Sequence, residues 1–559
     1  MRGLGPTATM SDQAARTRLV CLGLAAAVCL VYAYTLRCNF IGLDDWPYVV
    51  QNTYIQAGAW FDRVAWAFTA FHSSNWHPLT WLSHSLDYAL FGLNPAGHHL
   101  VNVLLHAANT VILFLALARL SGAFWKSAAA AALFGLHPLQ VESVAWVASR
   151  KGLLAAFFGF LALLAYERYA RRPGPRTWRP IVVCLALSLL SKQIFVTLPV
   201  LLLLLDWWPL QRLGPAVRPL PALLVEKLPF LALAALASWL TVLAQRHGGA
   251  VAPLGEWGLA QRLAYGLAGY AGYLGKTVFP SDLAVFYPLS QTIPWAAAVA
   301  GAGLLVGGAA LVWRARRSAP YLATGWLWFF VALLPVAGFV QIGSQAMADR
   351  YMYVPLVGLA IILCWGIPDL VRTLRYRAAL LAGVFVFTAS LLSVATWRQT
   401  QWWQDAVTLY GRTLEATGDN YFIEHFMGVE MNERRDLAAA EKHFRAALRI
   451  NPRHYRSWSE LGLLLFNAKR YAEAAPLYET AATRWPDDYE IRYNLGASYA
   501  HLGRLSDALA QFEGILARKP DDVDAKRNVQ ILRQKMERAA AKAAPAASQS
   551  GTQQRGEAP

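Results

Sequence analysis

The chain has 559 residues, 56% of them hydrophobic and only 15% charged, and carries a net charge of +17. A soluble protein of this length would hold far more charge, so a wholly soluble globular fold is excluded. The basic excess fits Lys and Arg gathered in cytoplasmic loops, and no basic module with stacking aromatics suggests a nucleic-acid partner.

The apolar residues fill the chain from Leu19 to about Thr396 and then stop. Residues 1–18 read as a cytoplasmic N-terminus. The stretch Leu19 to Leu36 follows Arg16 and Arg18 and is long for a cleaved signal peptide, so it reads as an uncleaved anchor. The next segment, 37–97, then lies outside, in the periplasm of a bacterial inner membrane or an equivalent lumen. At some 60 residues it is too long for a mere connector. It opens with "CNFIGLDDWPYVVQNTYI", whose Asp44 and Asp45 sit at a membrane mouth, and it adds Asp62, His72, His77, His84 and Asp87.

The loop runs into "GHHLVNVLLHAANT". There His98, Asn102 and His106 recur at four-residue steps and share a helix face, with His99 beside them. Next comes "LHPLQVESVAWVASRKGLL", with His137, Glu142, Arg150 and Lys151. A bilayer core takes about 20 helical residues. Spans on that scale begin near Leu19, His98, Ser127, Gly152, Trp178, Glu226, Arg262, Pro294, Tyr321, Tyr351 and Ala378. The stretch 178–208 is interrupted by Lys192 and Pro199 and reads either as one broken helix or as two short ones. Basic loops at 166–179, 313–317 and 371–377 read cytoplasmic. A total of about 11 spans satisfies all three if 178–208 crosses once, but it also puts Arg212 and Arg218 outside. "QAMADRYMYVP" brings Asp349 and Arg350 to another outer mouth. The five cysteines show neither metal spacing nor a disulfide framework.

Residues 401–420 read as a linker. Beyond it Gly428, Gly462 and Gly496 step by 34 residues, as do Pro452, Pro486 and Pro520. Ala440, Ala474 and Ala508, then Phe444, Tyr478 and Phe512, fall between them. This is the tetratricopeptide pattern. The repeats occupy 421–454, 455–488 and 489–522 of a 421–540 domain that ends in a closing helix. Such stacks present a groove for extended peptides, or pack and dimerise without one. Residues 541–559 are low in complexity and read as a disordered tail.

Ionisable groups at membrane segments are costly and usually functional. Each also has a plain structural reading. Asp44 can cap a short helix. His98, Asn102 and His106 can bridge helices. Glu142 can pair with Arg150 or Lys151, and Arg350 can be a flanking anchor. Together they suggest chemistry at the outer face: a carboxylate as general base toward an acceptor hydroxyl, and Arg or Lys holding a phosphate leaving group.

The Asp-Asp pair after the first span, "HPLTWLSHSLDYALFGLNPAGHHLVNVLLHAANT", "LFGLHPLQVESVAWVASRKGLL" and "ADRYMYVP", followed by the repeats, resemble one family. It is the transmembrane and tetratricopeptide-repeat protein O-mannosyltransferases and their bacterial relatives, and the resemblance covers about 20–530. It implies an all-α, polytopic GT-C type membrane domain over 19–400, followed by a tetratricopeptide α-solenoid. It implies inverting transfer of a sugar, mannose by analogy with the eukaryotic members, from a polyprenyl-phosphate donor to Ser or Thr hydroxyls of a protein or peptide acceptor recruited by the repeats. By that analogy Asp44 or Asp45 is the base. Arg350, Arg150, Lys151 and Lys192 are candidates for the donor phosphate. His77, His98, His99, Asn102, His137 and Glu142 are further active-site candidates. No cofactor is required, although adjacent carboxylates near histidines can hold a divalent metal. The alternatives are the same chemistry onto a lipid or surface glycan, and a membrane scaffold whose repeats assemble an envelope complex.

Overall fold

A chain in a bilayer must satisfy its backbone polar groups internally, so its apolar runs fold as helices. The computed structural model describes residues 10–214, 217–247, 258–289, 292–339 and 345–550. They form two compact units, Met1–Gly418 and Asp419–Pro559.

The first unit holds α1 (Met10–Val31), then three helices within the long loop, α2 (Thr53–Gln56), α3 (Trp60–Thr69) and α4 (Pro78–Phe91). There follow α5 (Pro95–Ser121), α6 (Phe124–Leu136), α7 (Val141–Ala145), α8 (Arg150–Arg171), α9 (Pro175–Ser191), α10 (Leu198–Trp207), α11 (Leu220–His247) and α12 (Leu259–Val278). The unit closes with α13 (Trp295–Ala315), α14 (Pro320–Leu333), α15 (Pro355–Leu370), α16 (Arg377–Gln401) and α17 (Ala406–Thr417). Two short antiparallel strands, β1 (Tyr287–Pro288) and β2 (Gln345–Met347), pair Tyr287 with Met347. Six of the described helices are long and apolar enough to cross a membrane, and four shorter apolar segments accompany them.

α5 shows how sequence becomes packing here. The Asn94 side chain accepts from the Ala96 N–H at 3.1 Å ahead of Pro95, and Gly122 ends the helix with φ 68°. Its inward polar face ties three interrupted neighbours. Asn102 Nδ2 donates to the Val144 and Trp146 carbonyls at 3.0 and 3.1 Å. His106 lies 2.8 Å from the Tyr353 hydroxyl and 3.1 Å from the Gly135 carbonyl. Asn109 Nδ2 donates to the Leu153 carbonyl at 2.9 Å. The Gly135, Val144 and Trp146 carbonyls among these partners lie at helix C-terminal ends, where carbonyls are left without an intrahelical donor. α14 and α15 approach closely because Gly325 faces Gly358: a Cβ on Gly358 would lie 2.3 Å from the Gly325 carbonyl oxygen.

The stretch 178–208 doubles back rather than crossing once. Ser191, at the end of α9, accepts from Thr80 Oγ1 of α4 at 2.9 Å. α10 then returns and places Asp206 Oδ1 2.5 Å from the Tyr166 hydroxyl, near the far end of α8. The reversal falls at Lys192, whose backbone is extended, and α10 restarts at Leu198-Pro199. Arg212 pairs with Asp206 at 2.7 Å and with Glu226 at 2.8 Å, and Arg218 reaches Glu226 at 2.6 Å. Both arginines therefore sit at the same end as the basic 166–179 turn, not at the Asp44 end.

Residues 401–420 are not a linker, because α17 fills them. Asp405 caps it, accepting from the Thr408 N–H at 2.9 Å, and Trp403, Leu409 and Tyr410 are buried.

The second unit stacks α18 (Tyr421–Glu433), α19 (Leu437–Ile450), α20 (Tyr455–Asn467), α21 (Tyr471–Arg484), α22 (Tyr489–His501), α23 (Leu505–Leu516) and α24 (Val523–Ser550). The 34-residue period has a steric cause. A Cβ on Gly428, Gly462 or Gly496 would lie 2.6, 2.5 or 3.0 Å from the ring of Phe444, Tyr478 or Phe512. Ala440, Ala474 and Ala508 are fully buried in the same core. α24 runs past the expected end at 540, since its Ala-rich continuation favours helix. Of the expected tail, 551–559 lie outside the described residues, as do 1–9 of the N-terminus.

Candidate active site

The two aspartates face different environments. Asp45 is fully buried. Its Oδ2 accepts from the Ile41 N–H at 2.9 Å and its Oδ1 from the Ala148 N–H at 2.7 Å. It therefore staples the first long loop to the turn ahead of α8. Burial pushes its carboxyl up to about 7, against the pull of the two N–H donors, with the Asp44 charge adding to the rise and Lys151 opposing it. The Asp44 side chain is 45% exposed. Its Oδ2 lies 3.2 Å from Lys151 Nζ, which also donates to the Tyr48 hydroxyl at 2.9 Å and sits over the Tyr48 ring.

A second pair converges on the same region. Glu142 on α7 accepts from the backbone N–H of Arg350 at 2.6 Å and pairs with its guanidinium. Arg350 Nη2 donates to Gln345 Oε1 at 3.1 Å, and the guanidinium lies over the Trp146 and Tyr351 rings. Burial raises the Glu142 carboxyl from its ordinary value while Arg350 opposes. The β1–β2 pairing brings Tyr287 beside Asp349, to which its hydroxyl donates at 2.9 Å. Burial, then the Glu142 charge, raises the Asp349 carboxyl.

Lys192 lies at the reversal between α9 and α10. Lys151, Arg350, Glu142 and Asp44 are its charged neighbours. Among the described residues its side chain forms no hydrogen bond or ion pair. Asp44 is matched by Lys151 and Glu142 by Arg350, and Lys192 has no counter-ion; burial, then the Lys151 and Arg350 charges, lowers its amine to about 7, so an arriving anion would favour its charged form. His77, ahead of α4, is 3% exposed and neither ring nitrogen has a partner. Burial, then Lys151 and Lys192, holds its imidazole well below its ordinary value, so the ring is neutral near pH 7. Such a set can bind an anion against the surplus positive charge and can take a proton at Asp44.

Other candidates from the sequence do not join this set. Arg150 turns away from its neighbour Lys151. It pairs with Asp87 at 2.5 Å and donates to Asn102 Oδ1, the His98 carbonyl and Ser83 Oγ at 2.5, 2.7 and 3.1 Å. Its guanidinium is thus engaged in fastening α4 to α5, and Asn102 and His98 are occupied with it. His99 is fully buried near the backbone of Cys38 and Asn39. His137 bonds to the Thr277 carbonyl at 3.0 Å and accepts from the Leu139 N–H, a turn-closing role. Among the described residues, His84, Asp87 and His98 bring potential metal-ligand atoms within 4.8 Å of one another. The Arg150 guanidinium already neutralises Asp87 there, which disfavours a further cation. Sequence reasoning missed Tyr48 and Tyr287, and no local spacing marks either as a partner of the charged groups.

The architecture defines a polytopic α-helical membrane unit, with one polar cluster around Asp44 and another around Asp206 at the opposite helix ends, followed by a tetratricopeptide-repeat unit. Tetratricopeptide-repeat family models match residues 433–488 and 465–528. The chain is 32% identical over 191 residues to Protein O-mannosyl-transferase Tmtc2 of Drosophila melanogaster, covering 32% of this chain and 20% of that protein. It is 25% identical over 502 residues to Protein O-mannosyl-transferase TMTC1 of Homo sapiens, covering 79% of this chain and 56% of that one. The chain thus spans about half or less of the length of these curated relatives. A crystal structure of ArnT from Cupriavidus metallidurans bound to undecaprenyl phosphate aligns over 82% of this chain and 79% of its own, at 14% identity and a TM-score of 0.33. Over these stretches the chain is similar to the transmembrane and tetratricopeptide-repeat O-mannosyltransferases.

Proposed function

We propose that this protein is an inverting, GT-C type membrane glycosyltransferase. It moves mannose from a polyprenyl-phosphate donor to Ser or Thr hydroxyls of exported proteins on the non-cytoplasmic face, and the repeats recruit the acceptor. The names of the homologues support the reaction class. The observation that carries the proposal is the unpaired Lys192 beside Lys151 and Arg350, facing the half-exposed Asp44.

Asp44 takes the proton of the acceptor hydroxyl as its oxygen attacks the anomeric carbon of the donor. The carbon–oxygen bond to phosphate breaks on the opposite side, which inverts the centre. The polyprenyl phosphate leaves with one more negative charge than it had as a diester. Lys192 is the ammonium available to it without breaking an existing pair, and Lys151 and Arg350 add positive potential. His77 offers a neutral ring to a sugar hydroxyl. Asp45 does not touch the reactants; it fixes the loop that carries Asp44.

The test is transfer of labelled mannose from polyprenyl phosphate by the full chain in lipid nanodiscs, with envelope protein extract as acceptor. Asp44→Asn should lose turnover by about 100-fold or more, the usual scale for a general base, with an unchanged melting temperature. Asp45→Asn should lower the melting temperature as well. Full turnover by Asp44→Asn would falsify the assignment, and label appearing only in lipid or free glycan would reassign the acceptor.

A further inference from the structure

A second site lies at the opposite helix ends. α8 begins beside the Asp44–Lys151 pair and ends at Arg171, about 30 Å away at 1.5 Å per residue. At that far end α1, α5, α6 and α8 border an open cleft of about 610 Å3, lined by Thr17, Arg18, Phe114, Arg119, Phe124 and Arg171. Arg171 is paired with Glu167 and donates to the Arg119 carbonyl at 2.9 Å. The guanidinium groups of Arg18 and Arg119 form no hydrogen bond or ion pair among the described residues. The adjoining segments add Arg16, Arg168 and Arg172, against Asp12 and Glu167 as their only acids. The other wall is apolar. A smaller cavity of about 200 Å3 continues past Phe124 to Trp125, whose side chain is 70% exposed. Exposed Trp at a helix end of this kind marks the headgroup level of a bilayer.

We propose that this cleft binds the phosphate of an anionic phospholipid, held between Arg18 and Arg119, with the first acyl carbons against the half-buried Phe124. The two guanidinium groups are exposed and have no protein partner among the described residues, so they are available to an anion. The apolar wall and the position one bilayer thickness from the Asp44 region select a lipid-borne anion over a free one. Basic pockets between spanning helices take anionic headgroups for the same reason. The bound lipid would tie the start of α1 to the last turns of α5 and α8, and the proposal stands apart from the glycosyl-transfer reading.

The test is native mass spectrometry of the full chain released from nanodiscs of equimolar phosphatidylglycerol and phosphatidylcholine. The wild type should retain phosphatidylglycerol over phosphatidylcholine by about tenfold or more, and the double variant Arg18→Gln, Arg119→Gln should lose that preference. Arg316→Gln with Arg317→Gln, in another basic loop, should keep it. Equal retention of both lipids by the wild type overturns the proposal whether or not the variant folds. So does full displacement of phosphatidylglycerol by millimolar inorganic phosphate, which would make a free anion the ligand.

Discussion

Lys192 has no ion-pair partner in a crowded site where Asp44 is paired with Lys151 and Glu142 with Arg350. If its role is to receive the leaving phosphate, Lys192→Gln should cut kcat/KM for the lipid donor by about 10- to 100-fold, the worth of one charge-assisted hydrogen bond. Inorganic phosphate should inhibit the variant less than the wild type. Asp45 makes a pH prediction. Burial raises its folded value to about 7, above the ordinary carboxyl value of 3.8 that the unfolded chain shows. The folded state therefore binds the proton more tightly. Its contribution is fully present below pH 4 and is lost as pH rises through about 7. The melting temperature of the wild type should fall relative to that of Asp45→Asn between pH 5 and 8, because Asn has no charge to bury. A parallel pair of curves would mean that Asp45 stays ionised throughout.

At the scale of elements, the repeat unit is governed by a glycine that meets an aromatic ring. In Gly462→Leu the new Cβ would start 2.5 Å from the Tyr478 ring. Overpacking of this kind costs about 1–3 kcal/mol, and the cleavage midpoint of residues 419–559 under protease in urea should drop accordingly while fragments of the membrane unit are unaffected. The reversal at 192–197 is the corresponding device in the membrane unit. It turns two short helices back on each other, so that Lys192 is held at the Asp44 end while Asp206 reaches Tyr166 and Lys227 at the other. In that second cluster the buried Asp206 and the largely buried side chain of Glu226 are paired with Lys227 and Arg212, the usual condition for charges kept from water, and the part-exposed Arg218 adds to Glu226 from outside.

For the whole molecule, the two units have separate cores, so each should survive loss of the other. A chain ending at Gly418 should insert and melt like the membrane unit of the full protein. If the repeats recruit the acceptor, that truncated chain should keep kcat on a short Ser/Thr peptide but show a raised KM for whole acceptor proteins. An unchanged KM for those proteins would leave the repeats without a recruiting role.

The sequence alone determined what depends on period and composition. The apolar runs marked the helices, and the 34-residue step marked the repeats down to their Gly, Ala and aromatic positions, because packing between neighbouring helices repeats with the chain. It also named the groups near Asp44, since polar residues in a membrane chain are few. Tertiary structure decided how those groups are divided. Asp44 and Asp45 are adjacent in sequence, yet the Ile41 and Ala148 amides engage one and leave the other open. Arg150 and Lys151 are adjacent too, and a helix points their side chains about 100° apart, one to Asp87 and one to Asp44. The doubling back of 178–208 was equally hidden. A lysine in an apolar run permits either a kink or a reversal, and only the partners of Ser191 and Asp206, more than 35 residues distant in each case, choose between them.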